Sequence, residues 1–193
     1  MISVLCFQSS SRYFFFYVRR TMPKTRRASR RRPEIQHHHF LLRMETRTCP
    51  SATVKDREAA RLLVEQIVRD IDMKLLGEAR VYYVESPVYN EGLTALAPIQ
   101  TSHIAFHFWR NPERRILKNS ESRCLLEFDL YTCGSLSLPQ IQRILHHLTR
   151  FKPTHVDATL LNRKYSLTVE RKLIWDAGAA DQPRWAQWVT ELR

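Results

Sequence analysis

The chain has 193 residues, 44% of them apolar and 26% charged, with 31 Lys and Arg against 19 Asp and Glu. That is enough apolar content for one compact domain with chain to spare, and no apolar run approaches the eighteen or so residues a membrane helix requires. The charge is lopsided: residues 1–43 hold ten basic groups and one acid, a net of +9, whereas residues 44–193 carry only +3, so the basic character belongs to a leader and nucleic acid is not an expected partner of the folded part.

Four cysteines (Cys6, Cys49, Cys124, Cys133) show no C-x-x-C spacing, which fits neither a disulfide framework nor a zinc site. A reducing, cytoplasmic setting is expected. Residues 1–39 read as a disordered basic leader, because the run Lys24–Arg32 concentrates like charge that repels and stays solvated. Three readings of it stay open: a dispensable extension with the true start near Met44, an organellar transit peptide, and an RNA-binding arm. His37, His38 and His39 are adjacent and cannot share one face, so no specific role is expected of them.

Residues 40–172 read as one domain. Phe40–Glu45 predicts a first strand. Thr53 with Asp56 three residues on predicts a helix start, and Ala60, Leu63, Val64, Ile67, Ile71 and Leu75 recur at helical spacing up to a stop at Gly77. The period then shortens to that of strands over Arg80–Glu85, Leu93–Ile99, Ile104–Trp109 and Cys124–Cys133. In the last of these, Leu126, Phe128, Leu130 and Thr132 share one face while Glu127, Asp129, Tyr131 and Cys133 share the other. Ser137-Leu-Pro-Gln140 reads as a capping box opening a helix that buries Ile141, Ile144, Leu145 and Leu148. Thr154–Leu160 and Tyr165–Val169 are two more strands. Residues 173–193 read as a Trp-rich tail, with a short helix expected at Pro183–Leu192. Two helices and a mainly antiparallel sheet give an α+β two-layer sandwich, the helices covering one face.

With four glycines in the chain there is no phosphate-binding loop of the usual fingerprints. His103 and His107 lie in a strand about 13 Å apart by the usual rise, so no shared metal is expected. His146 and His147 read as a surface pair. What stands out is a set of nucleophile-type residues around two strands: Thr94, Ser102, His103, His107 and Cys133.

The segment Thr101-Ser102-His103-Ile104-Ala105-Phe106-His107-Phe108-Trp109, followed by Phe128-Asp129-Leu130-Tyr131-Thr132-Cys133-Gly134, resembles the pyruvoyl-dependent S-adenosylmethionine decarboxylases of the short prokaryotic type, as a divergent member. Gly92-Leu93-Thr94, eight residues ahead of Ser102, matches the family's Gly-Val-Ser, and Glu45 and Cys49 match the spacing of its first strand. The resemblance implies that Ser102 attacks the carbonyl of Thr101, that Thr94 helps hold the intermediate, and that His107 removes the α-proton so that the chain splits between Thr101 and Ser102. Ser102 then becomes the pyruvoyl cofactor, which takes the substrate amine as a Schiff base and acts as an electron sink. By the same analogy Cys133 returns a proton to the substrate, and Trp109, Glu113 and Tyr89 bind it. The departures are Thr101 where the family has Glu, an inserted Arg110-Asn111 before Pro112-Glu113, Val88 with Tyr89 in place of an aromatic, and a longer loop before the cysteine strand.

The function so implied is decarboxylation of S-adenosylmethionine for spermidine biosynthesis, by a homodimer whose sites are shared between subunits across the uncovered sheet face. Pyruvoyl decarboxylation of ornithine or arginine, and an uncleaved non-catalytic homologue, are the alternatives. Ser102 and His107 are an odd number of residues apart, so a regular strand puts them on opposite faces, and a bend or bulge is expected near Ser102–His103.

Overall fold

The computed structural model describes residues 35–86 and 91–177; the leader up to residue 34, Tyr89 and the helix expected at Pro183–Leu192 lie outside the described residues. Seven strands and two helices follow one another as β1 (His38–Thr46), α1 (Val54–Asp70), β2 (Arg80–Val84), β3 (Gly92–Ile99), β4 (Ser102–Trp109), β5 (Cys124–Thr132), α2 (Leu138–Leu148), β6 (Pro153–Asn162) and β7 (Thr168–Asp176). The sheet order is β2-β3-β4-β5-β1-β6-β7, and every neighbouring pair is antiparallel. This is the expected α+β sandwich, with β1 inserted between β5 and β6.

The alternation read from the sequence sets the two faces. Phe40, Leu42 and Met44 of β1, Ile104, Phe106 and Phe108 of β4, and Leu126, Phe128 and Leu130 of β5 are buried toward the helices. They meet Leu63, Val64, Ile67 and Val68 of α1 and Ile141, Ile144, Leu145 and Leu148 of α2 in one core. Each such side chain contributes roughly 1.5–3 kcal/mol by leaving water. Edge contacts between Phe106 and Phe108 (centroids 5.5 Å) and between Phe108 and Phe151 (4.5 Å) knit the aromatic part.

α1 starts where expected, the Asp56 amide donating to Thr53 Oγ1 at 3.2 Å, but it ends at Asp70 rather than Gly77. Asp72 adopts φ 58°, its amide donates to Arg69 O, and the Met73 amide donates to Val68 O. That pair of bonds is the Schellman stop, made by Asp where Gly is the usual residue. Leu75, expected on the helix, instead bridges to Ile99 beside β3. α2 keeps its capping box, and Gln140 Nε2 also donates to Ile71 O at 2.6 Å, joining the two helices. His147 is not a free surface residue, since its Nε2 lies 2.6 Å from Asp70 Oδ2 of α1.

Two strands, one interior and one at an edge, differ from expectation. β1 begins at His38 rather than Phe40, because the ladders to Thr132 and Asn162 continue that far. The seventh strand lies at Thr168–Asp176 rather than Tyr165–Val169, so that residues 163–167 make the connection from β6. No helix among the described residues is long and apolar enough to cross a membrane.

Candidate active site

The face of the sheet away from the helices carries His39, Leu41, Arg43 and Glu45 of β1, Thr94 and Leu96 of β3, His103, Ala105, His107 and Trp109 of β4, and Glu127, Asp129 and Tyr131 of β5, as strand alternation from the buried residues requires. Leu41, Tyr82, Val84, Leu96 and Ile174 are exposed apolar residues on or beside it. A hollow of about 520 Å³ opens at its centre, lined by Leu41, Arg43, Ala105, Glu127, Asp129 and Asp157 among others.

β3 and β4 are joined by a two-residue turn, Gln100-Thr101, with Ile99 paired to Ser102. The turn is held from both sides: the Gln100 amide donates to Lys74 O at 2.8 Å, and the Cys133 amide donates to Thr101 O at 2.9 Å. The pairing of Ser102 with Thr132 at the end of β5 is what brings Cys133 beside this carbonyl. Ser102 itself has φ 149°, a conformation a non-glycine residue adopts only when its surroundings impose it. The torsion relating Cβ to the preceding carbonyl carbon is φ less a third of a turn. At the usual extended φ it holds Cβ well away from that carbon, but at 149° it brings the two to within about 30° of eclipse. The five-membered ring of Oγ, Cβ, Cα, nitrogen and the Thr101 carbonyl carbon can therefore close by rotation about the Ser102 Cα–Cβ bond.

The remaining singled-out residues divide into two groups. At the Ser102 end, Ser102 Oγ lies 3.1 Å from His103 Nδ1, and His103 Nε2 lies 3.1 Å from Asp129 Oδ1. Asp129 Oδ2 is also 2.7 Å from His39 Nε2. Tyr131 packs among His37, His39 and His103, and Arg163 lies 4.6 Å over its ring. His37 Nδ1 is 2.9 Å from the Tyr131 hydroxyl, and His38 Nδ1 accepts from the Leu136 amide at 2.8 Å. So the three histidines, expected to do nothing specific, are all engaged.

At the other end of β4, Thr94 Oγ1 lies 2.8 Å from His107 Nδ1, its direct cross-strand neighbour, and the His107 ring packs against Trp109 with centroids 5.7 Å apart. Of the bend or bulge expected near Ser102–His103 there is no bulge, since the β4 registers with β3 and β5 run without a shift; the irregularity lies in the Ser102 backbone. Five residues of strand put Ser102 and His107 about 16 Å apart, so one chain does not bring them together. Glu113 lies in the loop after β4 and pairs with Arg115. The carboxylate held at the end of β2 and β3 is Glu91, which accepts from Tyr83 Oη at 2.5 Å, Asn111 Nδ2 at 3.2 Å and Arg110 at 3.3 Å.

The loop after β4 folds back on the fully buried Glu45. Its carboxylate accepts from the Lys118 amide (2.7 Å), the Asn119 amide (3.0 Å), Ser122 Oγ (2.7 Å) and Arg43 (2.9 Å). Burial works to raise the Glu45 pKa, but these donors outweigh it and hold the group at about 2. Cys49 and Cys124, 75 residues apart in sequence, bring their sulfurs within 2.8 Å.

The family model for S-adenosylmethionine decarboxylase matches residues 39–164, from the start of β1 through β6. The chain belongs to the S-adenosylmethionine decarboxylase family. No curated protein matches it. The family's enzymes are pyruvoyl-dependent carboxy-lyases, so membership assigns the chain a decarboxylase-like function of the kind used in polyamine biosynthesis. The chain's own atoms suit such a group: a serine follows a carbonyl whose oxygen already accepts a backbone N–H, and its φ folds the hydroxyl-bearing carbon toward that carbonyl.

Proposed function

We propose that this chain is a self-processing decarboxylase that cleaves itself between Thr101 and Ser102 and decarboxylates S-adenosylmethionine to the aminopropyl donor for spermidine. The observation that carries the reading is the backbone of Ser102, φ 149°, beside a Thr101 carbonyl that the Cys133 N–H holds at 2.9 Å. A carbonyl so held takes negative charge on its oxygen readily when a hydroxyl attacks. His107, oriented by Thr94, is the base for the Ser102 α-proton; its removal breaks the Cβ–O bond of the ester and frees the carboxyl end of Thr101. Elimination leaves a dehydroalanine at position 102, which tautomerises to an imine; water then displaces ammonia, and the pyruvoyl group so formed would supply an electron sink for decarboxylation. Cys133 holds the proton returned to the substrate. Trp109 stacks on the adenine, and Glu113 and Tyr89 complete the substrate contacts.

The distance between Ser102 and His107 supports a homodimer as the working unit. Ala105 lies midway between His103 and His107 on the uncovered face. A two-fold axis near it, lying between face-to-face sheets and running across the strands, sets the Ser102 end of one protomer against the Thr94–His107 end of its partner. Leu41, Leu96 and Ile174 are apolar residues such packing would cover.

Intact mass of the purified protein tests the reading: fragments ending at Thr101 and beginning at a ketone-capped residue 102 are expected, with carbon dioxide released from carboxyl-labelled S-adenosylmethionine. A single uncut chain identifies a non-catalytic homologue. A second reading, ornithine or arginine as substrate, is favoured by Glu127, Asp129 and Asp157 lining the hollow and by the pairing of Glu113 with Arg115; cleaved protein that releases carbon dioxide from those amino acids and not from S-adenosylmethionine selects it.

A further inference from the structure

Ser102, His103 and Asp129 form a hydroxyl–imidazole–carboxylate chain, with Oγ to Nδ1 at 3.1 Å and Nε2 to Oδ1 at 3.1 Å. His39 is the second donor on Asp129, 2.7 Å from its other oxygen. Three strands and their registers produce the arrangement. Asp129 sits one pair diagonally from His103, whose direct neighbour is Tyr131, and His39 stands opposite Tyr131 on β1. The geometry also decides which nitrogen carries the proton. A carboxylate only accepts, so Nε2 of His103 is the N–H, and in the neutral ring Nδ1 is then the acceptor for the Ser102 hydroxyl.

We propose that His103 is the catalytic base for the first step of self-cleavage and that Asp129, itself held by His39, is its positioning residue. The inference rests on the self-processing reading above and divides it: His103 of the same chain serves the acyl shift, and His107 serves the later elimination. The Ser102 Oγ proton passes to His103 Nδ1 as Oγ bonds to the Thr101 carbonyl carbon, and the carbonyl electron pair moves onto the oxygen held by the Cys133 N–H. Collapse breaks the bond from that carbon to the Ser102 nitrogen. The imidazolium returns its proton to the leaving nitrogen, leaving an ester, a free amine and His103 as it began. Nothing is oxidised or reduced, and no further reactant is consumed. A base that gives its proton back to the leaving nitrogen is the general acid–base pattern of acyl transfer.

The test follows cleavage of freshly purified full-length chain by denaturing gel, with and without hydroxylamine, which cuts esters but not amides. His103→Ala and His103→Gln are expected to slow cleavage by about 100-fold or more, to leave a precursor that hydroxylamine does not cut, and to recover part of the rate with added imidazole. His107→Ala is expected to stall later, as a precursor that hydroxylamine does cut. For Asp129, ¹⁵N spectra of His103 in uncleavable Ser102→Ala chain should show the Nε2–H tautomer, and adding Asp129→Asn should move it toward Nδ1–H. Cleavage of both His103 variants at the wild-type rate, or accumulation of the ester in them, overturns the inference while leaving self-processing intact. Failure of the wild-type chain itself to cleave sinks the underlying reading instead.

Discussion

Replacing Glu45 by Gln keeps the shape of the side chain and removes its charge. The carboxylate is fully buried and accepts four hydrogen bonds, two of them from backbone amides of the loop after β4. A Gln amide must turn its own N–H₂ toward at least one of those donors, which leaves a buried group unmade. The size of the loss follows from linkage. The group sits at about 2 against an ordinary value of 4.5, so its ionised form stabilises the fold by about 3 kcal/mol at neutral pH. Because the folded value is depressed, that stability is complete above about pH 5 and is lost as pH falls toward 2, with less than half of it surviving at pH 3. Glu45→Gln should thus cost about 3 kcal/mol at pH 7, or roughly 6–12 °C in Tm for a domain of this size, and less than half as much at pH 3. Urea unfolding of both chains at the two pH values measures it. An equal penalty at pH 3 and pH 7, or one below about 1 kcal/mol at pH 7, refutes the argument that charge at this carboxylate anchors the loop.

Three further outcomes are expected. Co-expressed Ser102→Ala and His107→Ala chains should regain cleavage, confined to the His107→Ala chain, because only a mixed dimer pairs an intact Ser102 with an intact His107 across the interface; no cleavage in the mixture, read by intact mass, would show the site to be made within one chain. Gly92→Ala should destabilise the β3–β4 ladder by about 2 kcal/mol or more, since a Cβ there would lie 1.7 Å from Phe108 O; a melting curve matching wild type would refute it. Asp72→Gly should raise stability by about 0.5–1 kcal/mol, relieving a side chain from the left-handed conformation at the end of α1, and thermal melts would show its sign.

The fold was largely legible because its signals are local. Alternation in Cys124–Thr132, the Thr53 cap and the Ser137–Gln140 box each lie within a few residues, and each formed as read. The misplaced boundaries have physical causes of their own. Asp72 stops α1 in a conformation for which Gly77 was the expected residue, and β1 is extended to His38 by partners found only in the folded sheet. The candidate residues were legible as types and spacing but not as contacts. Thr94 with His107 follows from a hairpin register, whereas the approach of Asp129 to His103, of Ser122 to Glu45 and of Cys49 to Cys124 depends on pairings between distant segments.

Strand parity connects the two proposals. Ser102 and His107 differ by an odd number, so along a regular β4 the side chain of one points to the helices while the other points to the open face. A bulge would resolve this, but the register contains none. The chain meets the conflict by turning the Ser102 backbone instead, so that Oγ reaches His103, the first open-face residue of β4, rather than His107 five residues away. A base for the serine hydroxyl is then available without a partner, whereas a base for the α-proton is not. In the proposed scheme, monomeric chain can therefore form the ester but not break it. Trapped monomer should be cut by hydroxylamine, and it should release its two fragments unaided only once dimers form.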